Sequence, residues 1–440
     1  MLVVGAVTAV YLVYPGSSVQ RVNVGTNVLV DPPPGSTYQW AAQGAVQGVG
    51  PSMAVGSNGE VYVAWMGFST PDPEVYSNSS FRYRTQVLFA SSTDGGKSFT
   101  PPVQVSNSSD PLSYNCVDPS VAVSPGGSEV YVGYVCYQAT GVAAAEVVAV
   151  GSPSPSGGFA FSQRVVSVGL GFDNPWFSVS AGGAVDVVWD SGTYIYWATM
   201  EPNGTILQPS FNTFSSPYGW VSGVAAFGNG TIAVAAYGYS RPGVGNSTID
   251  VLYATLSRPL QQGPLDWTDL VNLTVASAVY RGGSEAFFPG PALALGPDGA
   301  VYVAYSADGG RSLQLTWLPQ HGSSWSTPVT LTTSKTGMTE TPSLAVGQTG
   351  GAVAVSWAGN STGYWDEYAT VFLPATSKVL PPVEVSAQNG FPSGALTWHG
   401  DSTSVAFTSA SSFLLVWTDG RGVDDYYGYG HIYSSVVSFS

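Results

Sequence analysis

Charge is the scarcest feature of this chain. Charged residues make up 9% of its 440 positions, against about 25% in a typical globular domain. Lys and Arg number 12 and Asp and Glu 27, for a net charge of −15 and a pI near 4.3. A surface so poor in cations excludes nucleic acid as a partner, because phosphate neutralisation needs Lys and Arg. The 3 histidines, His321, His399 and His431, lie far apart, and with 2 cysteines they exclude a zinc centre. Helix formers are few and no 3.6-residue apolar period is sustained. No glycine-rich loop follows a strand and opens a helix, so a phosphate-cradling loop is absent. Gly359-Asn-Ser-Thr-Gly363 matches a nucleophile elbow in spelling, but no helix pattern follows it. It reads as a loop open to glycosylation. No cofactor is expected.

Aromatics are present at 13%, which gives the chain ample surface to bury and excludes disorder. Few charges and a low pI suit an acidic medium, where protonated carboxylates leave Ser, Thr, Tyr and Gly to solvate the surface. An ordinary acidic secreted protein is the alternative.

The organising signal is a repeat. Gly59-Glu-Val-Tyr-Val-Ala-Trp65 returns as Gly127 with Val130–Tyr134, Gly183 with Val185–Trp189, and Gly230 with Ile232–Tyr237. It returns again as Gly299 with Val301–Tyr305, Gly351 with Val353–Trp357, and Phe413–Trp417 without the glycine. A turn followed by a dense β run, recurring every 45–70 residues or so, implies one supersecondary unit per copy. Ahead of most copies stands an inner-strand pattern: Pro51-Ser-Met-Ala, Pro119-Ser-Val-Ala, Pro175-Trp-Phe-Ser, Pro291-Ala-Leu-Ala, Pro342-Ser-Leu-Ala and Pro392-Ser-Gly-Ala. The copy near Trp220 lacks the proline. The chain thus reads as an all-β, seven-bladed β-propeller of four-stranded antiparallel blades. The repeats fall near 51–106, 118–168, 174–214, 219–274, 289–332, 341–386 and 391–440, in a single domain over 17–440. The last repeat lacks an outermost strand. The pattern Val19-Gln-Arg-Val-Asn-Val24, outside the repeat, is expected to fill that place and close the ring, which removes an unpaired sheet edge.

Residues 1–16 form a hydrophobic N-terminal segment. Its apolar run, 2–14, is short for a bilayer and fits a signal or membrane anchor, or alternatively a buried first strand. Cys116 precedes the inner strand of the second blade and Cys136 ends its second strand. Folding about Pro125-Gly126-Gly127 brings them opposite, so a disulfide is expected, with two free thiols as the alternative. A disulfide fits an extracellular or cell-surface location. Sequons begin at Asn78, Asn107, Asn203, Asn229, Asn246, Asn272 and Asn360, half of all asparagines, each in a loop or at a strand end. These mark a glycoprotein, unless they arise by chance in a Ser/Thr-rich chain.

Ser92-Thr-Asp-Gly-Gly-Lys-Ser-Phe99 fits Ser-x-Asp-x-Gly-x-Ser-Phe, the Asp-box. Ser92 and Asp94 suit hydrogen bonds to the turn backbone, Gly96 suits positive φ, and Phe99 suits plugging the hairpin. In this octapeptide and in its repeat architecture the chain resembles the sialidase-like (BNR/Asp-box) propeller superfamily. The resemblance implies a structural Asp-box facing away from the ligand. It implies a ligand face built from the loops after each second strand and before each inner strand. Sialidases of the family grip a carboxylate with three arginines, one in an Arg-Ile-Pro motif, and use a Tyr–Glu nucleophile pair with an Asp acid/base. This chain has no Arg-Ile-Pro, and family members near six blades contrast with the seven repeats counted here. Ser306-Ala-Asp-Gly-Gly-Arg-Ser312 resembles a second box but follows a second strand, so it reads as a plain turn or a ligand-facing loop.

On the expected loop face the catalytic candidates are Asp72, Glu74, Glu285, Asp366, Glu367, Asp424 and Asp425. The ligand-binding candidates are Arg82, Arg84, Arg241, Arg281, Tyr364, Trp365, Arg421, Tyr426 and Tyr427. Clustering of rare charges and aromatics on one face points to a binding site. Solvated loops collecting charge are the alternative. Asp118 and Asp173, at the start of inner strands, offer oxygen ligands to a cation such as Ca²⁺ or cap the local turn. Three functions follow: binding of a glycan or other surface ligand, glycoside hydrolysis by loop carboxylates, or a structural coat.

Overall fold

The computed structural model describes residues 21–31, 48–71, 83–106, 115–138, 143–154, 158–180, 182–191, 194–213, 219–226, 231–238, 248–255, 271–277, 291–308, 310–320, 322–333, 337–387, 390–392, 403–421 and 430–440. The segment 2–14 lies outside them. No helix among the described residues is long and apolar enough to cross a membrane.

Two short strands come first, β1 (Val22–Val24) and β2 (Val28–Leu29). The first blade is β3 (Gly48–Val55), β4 (Val61–Pro71), β5 (Tyr83–Ser92) and β6 (Val103–Gln104). The second is β7 (Asn115–Val123), β8 (Val130–Tyr137), β9 (Ala143–Pro153) and β10 (Phe159–Leu170). The third is β11 (Asp173–Val179), β12 (Val185–Asp190), β13 (Tyr194–Met200) and β14 (Ile206–Thr213). The fourth is β15 (Gly219–Ala226), β16 (Thr231–Gly238), β17 (Thr248–Thr255) and β18 (Val271–Ser277). The fifth is β19 (Ala292–Leu295), β20 (Val301–Ala307), β21 (Ser312–Leu318) and β22 (Val329–Thr332). The sixth is β23 (Thr339–Val346), β24 (Val353–Gly359), β25 (Tyr364–Leu373) and β26 (Lys378–Val379). Two further short strands, β27 (Val383–Glu384) and β28 (Phe391–Pro392), also pair with β25. The seventh is β29 (Ser404–Ser409), β30 (Ser412–Asp419) and β31 (His431–Phe439), completed by β1.

Every blade is an antiparallel meander, and the architecture is the expected all-β, seven-bladed propeller. The inner strands β3, β7, β11, β15, β19, β23 and β29 adjoin in chain order, and β29 lies beside β3. The missing outer strand of the last blade comes from the N-terminus, as expected: Val22, Asn23 and Val24 pair with Phe439, Ser438 and Val437. One expectation fails. The seventh inner strand is Ser404–Ser409, not the segment beginning at Pro392. Pro392 instead pairs with Tyr364 of β25 in the sixth blade. Proline suits that short edge strand, where no ladder hydrogen bond is lost.

The repeated glycine has a backbone cause. Gly59, Gly127, Gly183 and Gly299 have φ of +85°, +70°, +81° and +76°. Each donates its N–H three residues back, closing the turn before the second strand. The dense β run then fills the space between blades. Trp65, Trp189, Trp357 and Tyr134 are essentially fully buried. Trp65 packs with Leu414, Val416 and Ile432 of the seventh blade, and Trp357 with Ala304, Leu313 and Leu315 of the fifth. The core is therefore a set of seams between blades.

The repeated Pro-Ser also has a cause. The inner-strand register slips at Val49/Ser52, Val117/Ser120 and Glu340/Ser343, each a β-bulge beside the proline. The residue before that proline is left-handed: Gly50, Asp118 and Thr341 have φ of +61°, +53° and +44°. For Asp118 and Thr341 this stores about 1 kcal/mol each. The serine after the proline (Ser52, Ser343), and Ser404 at the same level of the seventh blade without a proline, reach the next blade. Ser343 Oγ accepts from Val405 N, Ser404 Oγ from Met53 N, and Ser52 Oγ from Val121 N, at 3.1, 3.1 and 3.0 Å. These three bonds run from the sixth blade through the seventh to the first and second.

Cys116 and Cys136 stand directly opposite in β7–β8 and form a disulfide. Close to them, Gly133 occupies a position held elsewhere by Ala64 or Ser356. A Cβ at Gly133 would lie 1.6 Å from ring carbons of Phe177 in the third blade. Gly133→Ala is therefore expected to cost about 2–3 kcal/mol by overpacking. A second change, Phe177→Leu, should recover part of that loss in chemical denaturation. Additive losses in the double variant would refute the steric account.

Candidate ligand site on the loop face

At one end of the blades, the loop face, lie the last residues of β4, β8, β24 and β30 and the first residues of the inner strands. The opposite face carries the tight turns. Ser92–Phe99 lies on that opposite face, between β5 and β6. There Ser92 Oγ donates to Asp94 Oδ1 at 2.7 Å and accepts from Gly96 N at 2.9 Å. Asp94 also accepts from Lys97 N, Ser98 N and Ser98 Oγ. Hydrogen bonds from Ser98 and Ser92 hold its carboxyl well below the usual range. Phe99 packs into the seam between the seventh and first blades. These residues are structural. Asp308 lies in the β20–β21 turn with φ +53° and accepts from Ser312 Oγ at 2.9 Å, so its segment is a turn on the loop face.

The sixth and seventh blades bring several candidates together. β25 opens with Tyr364-Trp365-Asp366-Glu367, polar at its start and apolar after. Glu367 stands opposite Ala358, and Ala358 opposite Glu340. Residues directly opposite share a sheet face, so both carboxylates point toward the seventh blade, about 10 Å apart at the backbone. Both are buried. Thr403 Oγ1 donates to Glu367 Oε1 at 2.8 Å. Burial pushes the Glu367 carboxyl up, against the bond from Thr403, and Asp419 adds to the rise, giving about 8. Asp366 has a fastening role: Thr362 Oγ1 donates to it at 2.5 Å and Gly390 N at 3.1 Å. Trp365 is buried against Ala358 and Met338, while Tyr364 is half-buried at the rim.

Across the seam, Asp419 organises the end of β30. Trp417 Nε1 donates to Asp419 Oδ2 at 2.9 Å, and Arg421 N to Asp419 Oδ1 at 2.9 Å. The Arg421 guanidinium forms an ion pair with Asp419 and lies 4.2 Å above the Tyr433 ring. Trp365, Asp366, Glu367, Thr403, Trp417 and Thr418 line one small cavity of about 10 Å³, room for roughly a single water. Beside it Asp31, leading out of β2, accepts from Ile432 N and meets His431 Nδ1 at 2.8 Å. Burial pulls the His431 pKa down, but Asp31 and then Asp419 outweigh it, and the net shift is upward. The carboxyl of Asp31 is itself pushed up by burial, in spite of His431.

The structure thus gathers Tyr364, Trp365, Asp366, Glu367 and Arg421. Asp72, Glu74, Arg82, Arg241, Arg281, Glu285, Asp424, Asp425, Tyr426 and Tyr427 lie outside the described residues, as do Asn78, Asn107, Asn229 and Asn246. Arg84 and Asn272 fall in β5 and β18, where the backbone alone is described.

Among the described residues, sequence reasoning missed five buried acids: Asp31, Glu146, Asp186, Asp190 and Glu340. Glu146 lies in β9 facing the third blade, fully buried, and neither carboxylate oxygen has a hydrogen-bond partner. Burial, then the charge of Asp118, pushes its carboxyl well above the usual range. Tyr137 donates to Phe172 O at 2.7 Å, and burial with the charges of Asp173, Asp118, Asp190 and Glu146 raises its phenol. The available signal was a lone acid inside an apolar run, Val142-Ala-Ala-Ala-Glu146-Val-Val-Ala-Val150, where a charge has no cheap place to go. Among the described residues no group of three or more His, Cys, Asp or Glu is placed to hold a metal ion.

No protein-family model and no curated protein sequence matches the chain. Solved structures do. A protein of unknown function from Dyadobacter fermentans superposes with a TM-score of 0.51 at 12% identity, over 95% of this chain and 99% of that one. A Trypanosoma rangeli sialidase in complex with sialic acid superposes with a TM-score of 0.50 at 10% identity. That match covers 94% of this chain and 58% of the sialidase. At such identities the likeness shows the fold, a sialidase-like propeller, and nothing more.

Proposed function

We propose that this protein is a glycan-binding propeller displayed outside the cell, with its ligand site on the loop face where the sixth and seventh blades meet. The observation that carries this reading is Arg421. Its guanidinium is held by Asp419 and stacked on Tyr433, and its side chain keeps 11% of its exposure. An arginine fixed in this way has already lost its rotamer freedom, and its remaining N–H groups suit a carboxylate in a forked pair. A sugar acid is the ligand class that joins such a carboxylate to a ring face for Tyr364. The Cys116–Cys136 disulfide supports an oxidising, extracellular setting.

Calorimetric titration with N-acetylneuraminic acid, glucuronic acid and neutral lactose tests the reading. Binding of an acidic sugar and not of lactose is expected, weakened at least about tenfold by Arg421→Ala, as for loss of one charge-assisted pair. Acidic-sugar affinity in Arg421→Ala equal to that of the parent would sink it.

A second reading, glycoside hydrolysis, is favoured by one observation. Glu340 and Glu367 share a row of the sixth blade, and Glu367 stays protonated to about pH 8, as a general acid requires. Release of chromophore from aryl glycosides between pH 4 and 9, abolished by Glu367→Gln in a folded protein, would establish it. Silence across the panel leaves the binding reading.

A further inference from the structure

The face opposite the candidate site carries a groove of about 420 Å³ between the second and third blades. That volume lies within the range of sites for small ligands. The second blade contributes Glu129, Tyr131, Phe161 and Arg164 to its wall, and the third contributes Glu201 and Asn203. Glu129 accepts from the Tyr131 hydroxyl at 2.8 Å, which leaves the ring as a fixed wall.

Asn203 opens the sequon Asn203-Gly204-Thr205, in the turn between β13 and β14. Gly204 has φ +81° and donates its N–H to Glu201 O at 2.8 Å, making the turn tight. Thr205 N donates to Asn203 Oδ1 at 2.9 Å. That bond orients the amide, turning Nδ2 to the side away from Thr205 N. Asn203 and Thr205 are both exposed. Asn360 differs: it is half-buried, and its Oδ1 accepts from Met338 N at 2.8 Å to hold the loop leading into β23.

We infer that Asn203 carries an N-linked glycan whose first sugars lie in this groove and bridge the second and third blades. Nδ2 forms a bond to C1 of an oligosaccharide delivered as a lipid pyrophosphate. The C1–O bond to the pyrophosphate breaks, the lipid pyrophosphate leaves, and the amide proton passes to the transferase. No oxidation or reduction is involved. The tethering residue lines the groove, so docking is intramolecular and needs little intrinsic affinity. Phe161, half-buried, offers an apolar face to sugar rings over a floor that includes the buried Tyr131, and Arg164 with Glu129 offers donors and acceptors to the sugar hydroxyls. This site is on the other face from Arg421 and stands or falls independently of it.

The test uses full-length protein secreted by a host that performs N-glycosylation. Peptide mass spectrometry should find a glycan on Asn203. Hydrogen exchange over 158–164 should be slower in the glycosylated protein than in Asn203→Gln or Thr205→Ala, by about fivefold or more. Arg164→Ala should keep the glycan and lose that protection. An unmodified Asn203 overturns the proposal. So does a modified Asn203 with exchange identical to Asn203→Gln.

Discussion

The melting temperature is expected to be highest near pH 4 and to fall steadily as pH rises through 8. The carboxyls of Asp31, Glu146 and Glu367 are all raised by burial, that of Glu367 to about 8. A group with a raised folded-state pKa binds its proton more tightly in the folded state. Its contribution is complete below the unfolded value, near 4.5, and is lost as pH climbs through the folded value. For Glu367, a rise from 4.5 to about 8 corresponds to about 5 kcal/mol withdrawn across that window. The raised His431 has the same sign, with its window opening at 6.5. Asp94 has the opposite sign but is exposed and weighs little. Thermal melts from pH 3 to 9 check the profile. Glu367→Gln cannot ionise, and it should flatten the fall between pH 5 and 8. A melting temperature that is level or rising over that interval would refute the account. The expected profile matches the acidic medium that the low charge content suggests.

The second large effect concerns the closing strand. Deletion of residues 1–31 is expected to leave no stable monomer. β1 supplies three ladder pairs to β31, Gly25 N donates to Val436 O, and Val28 pairs with Ser434. Val30 is buried in the seam with Trp65, and Asp31 holds His431 and Ile432 N. Without these residues the outer edge of β31 presents unpaired backbone groups along 9 residues, an invitation to strand pairing between chains. A smaller lesion reports on the same seam. Asn27 Nδ2 donates to Val385 O at 2.9 Å, and Ala387 N donates to Asn27 Oδ1 at 2.8 Å, tying the strap to the sixth blade. Asn27→Ala should cost about 2 kcal/mol in denaturant unfolding. A permuted chain restores closure by design. Ser440 N donates to Arg21 O, and Val22 faces Phe439, so an Asn-Gly link from Ser440 to Arg21 makes a hairpin. The chain starting at Gly48 and carrying 21–47 after that link should elute as a monomer and melt like the parent. A truncated protein that is monomeric and equally stable would show that β1 does not close the ring.

The second strands were the most legible feature. Those whose side chains are described are buried on both faces, so nearly every position is apolar, and in four of them the glycine ahead sits in a left-handed turn. The seventh blade was read less well. Pro392-Ser-Gly-Ala copies the inner-strand spelling, yet Pro392 serves β28, and Ser404-Val-Ala-Phe, with no proline, forms the inner strand. The difference lies in pairing: Ser404 faces Val416 and its hydroxyl meets Met53 N of the first blade, contacts 351 residues apart in the case of Met53. Among candidate site residues, the chemistry of Arg421 and Glu367 was apparent from scarcity of charge. Their use was not. Asp366, an equal candidate on paper, proves to be a loop fastener, and Glu340 went unnoticed beside its proline bulge.

The sequence by itself determined the all-β class, the seven units, the disulfide pair and the borrowed N-terminal strand, because each is written in local period, turn chemistry or a missing copy. Tertiary structure alone decided which acids are buried, which serine reaches the next blade and which arginine is held over a tyrosine. Those outcomes depend on what the neighbouring blade places across the seam, and in a ring that neighbour is set by closure and not by proximity in the chain.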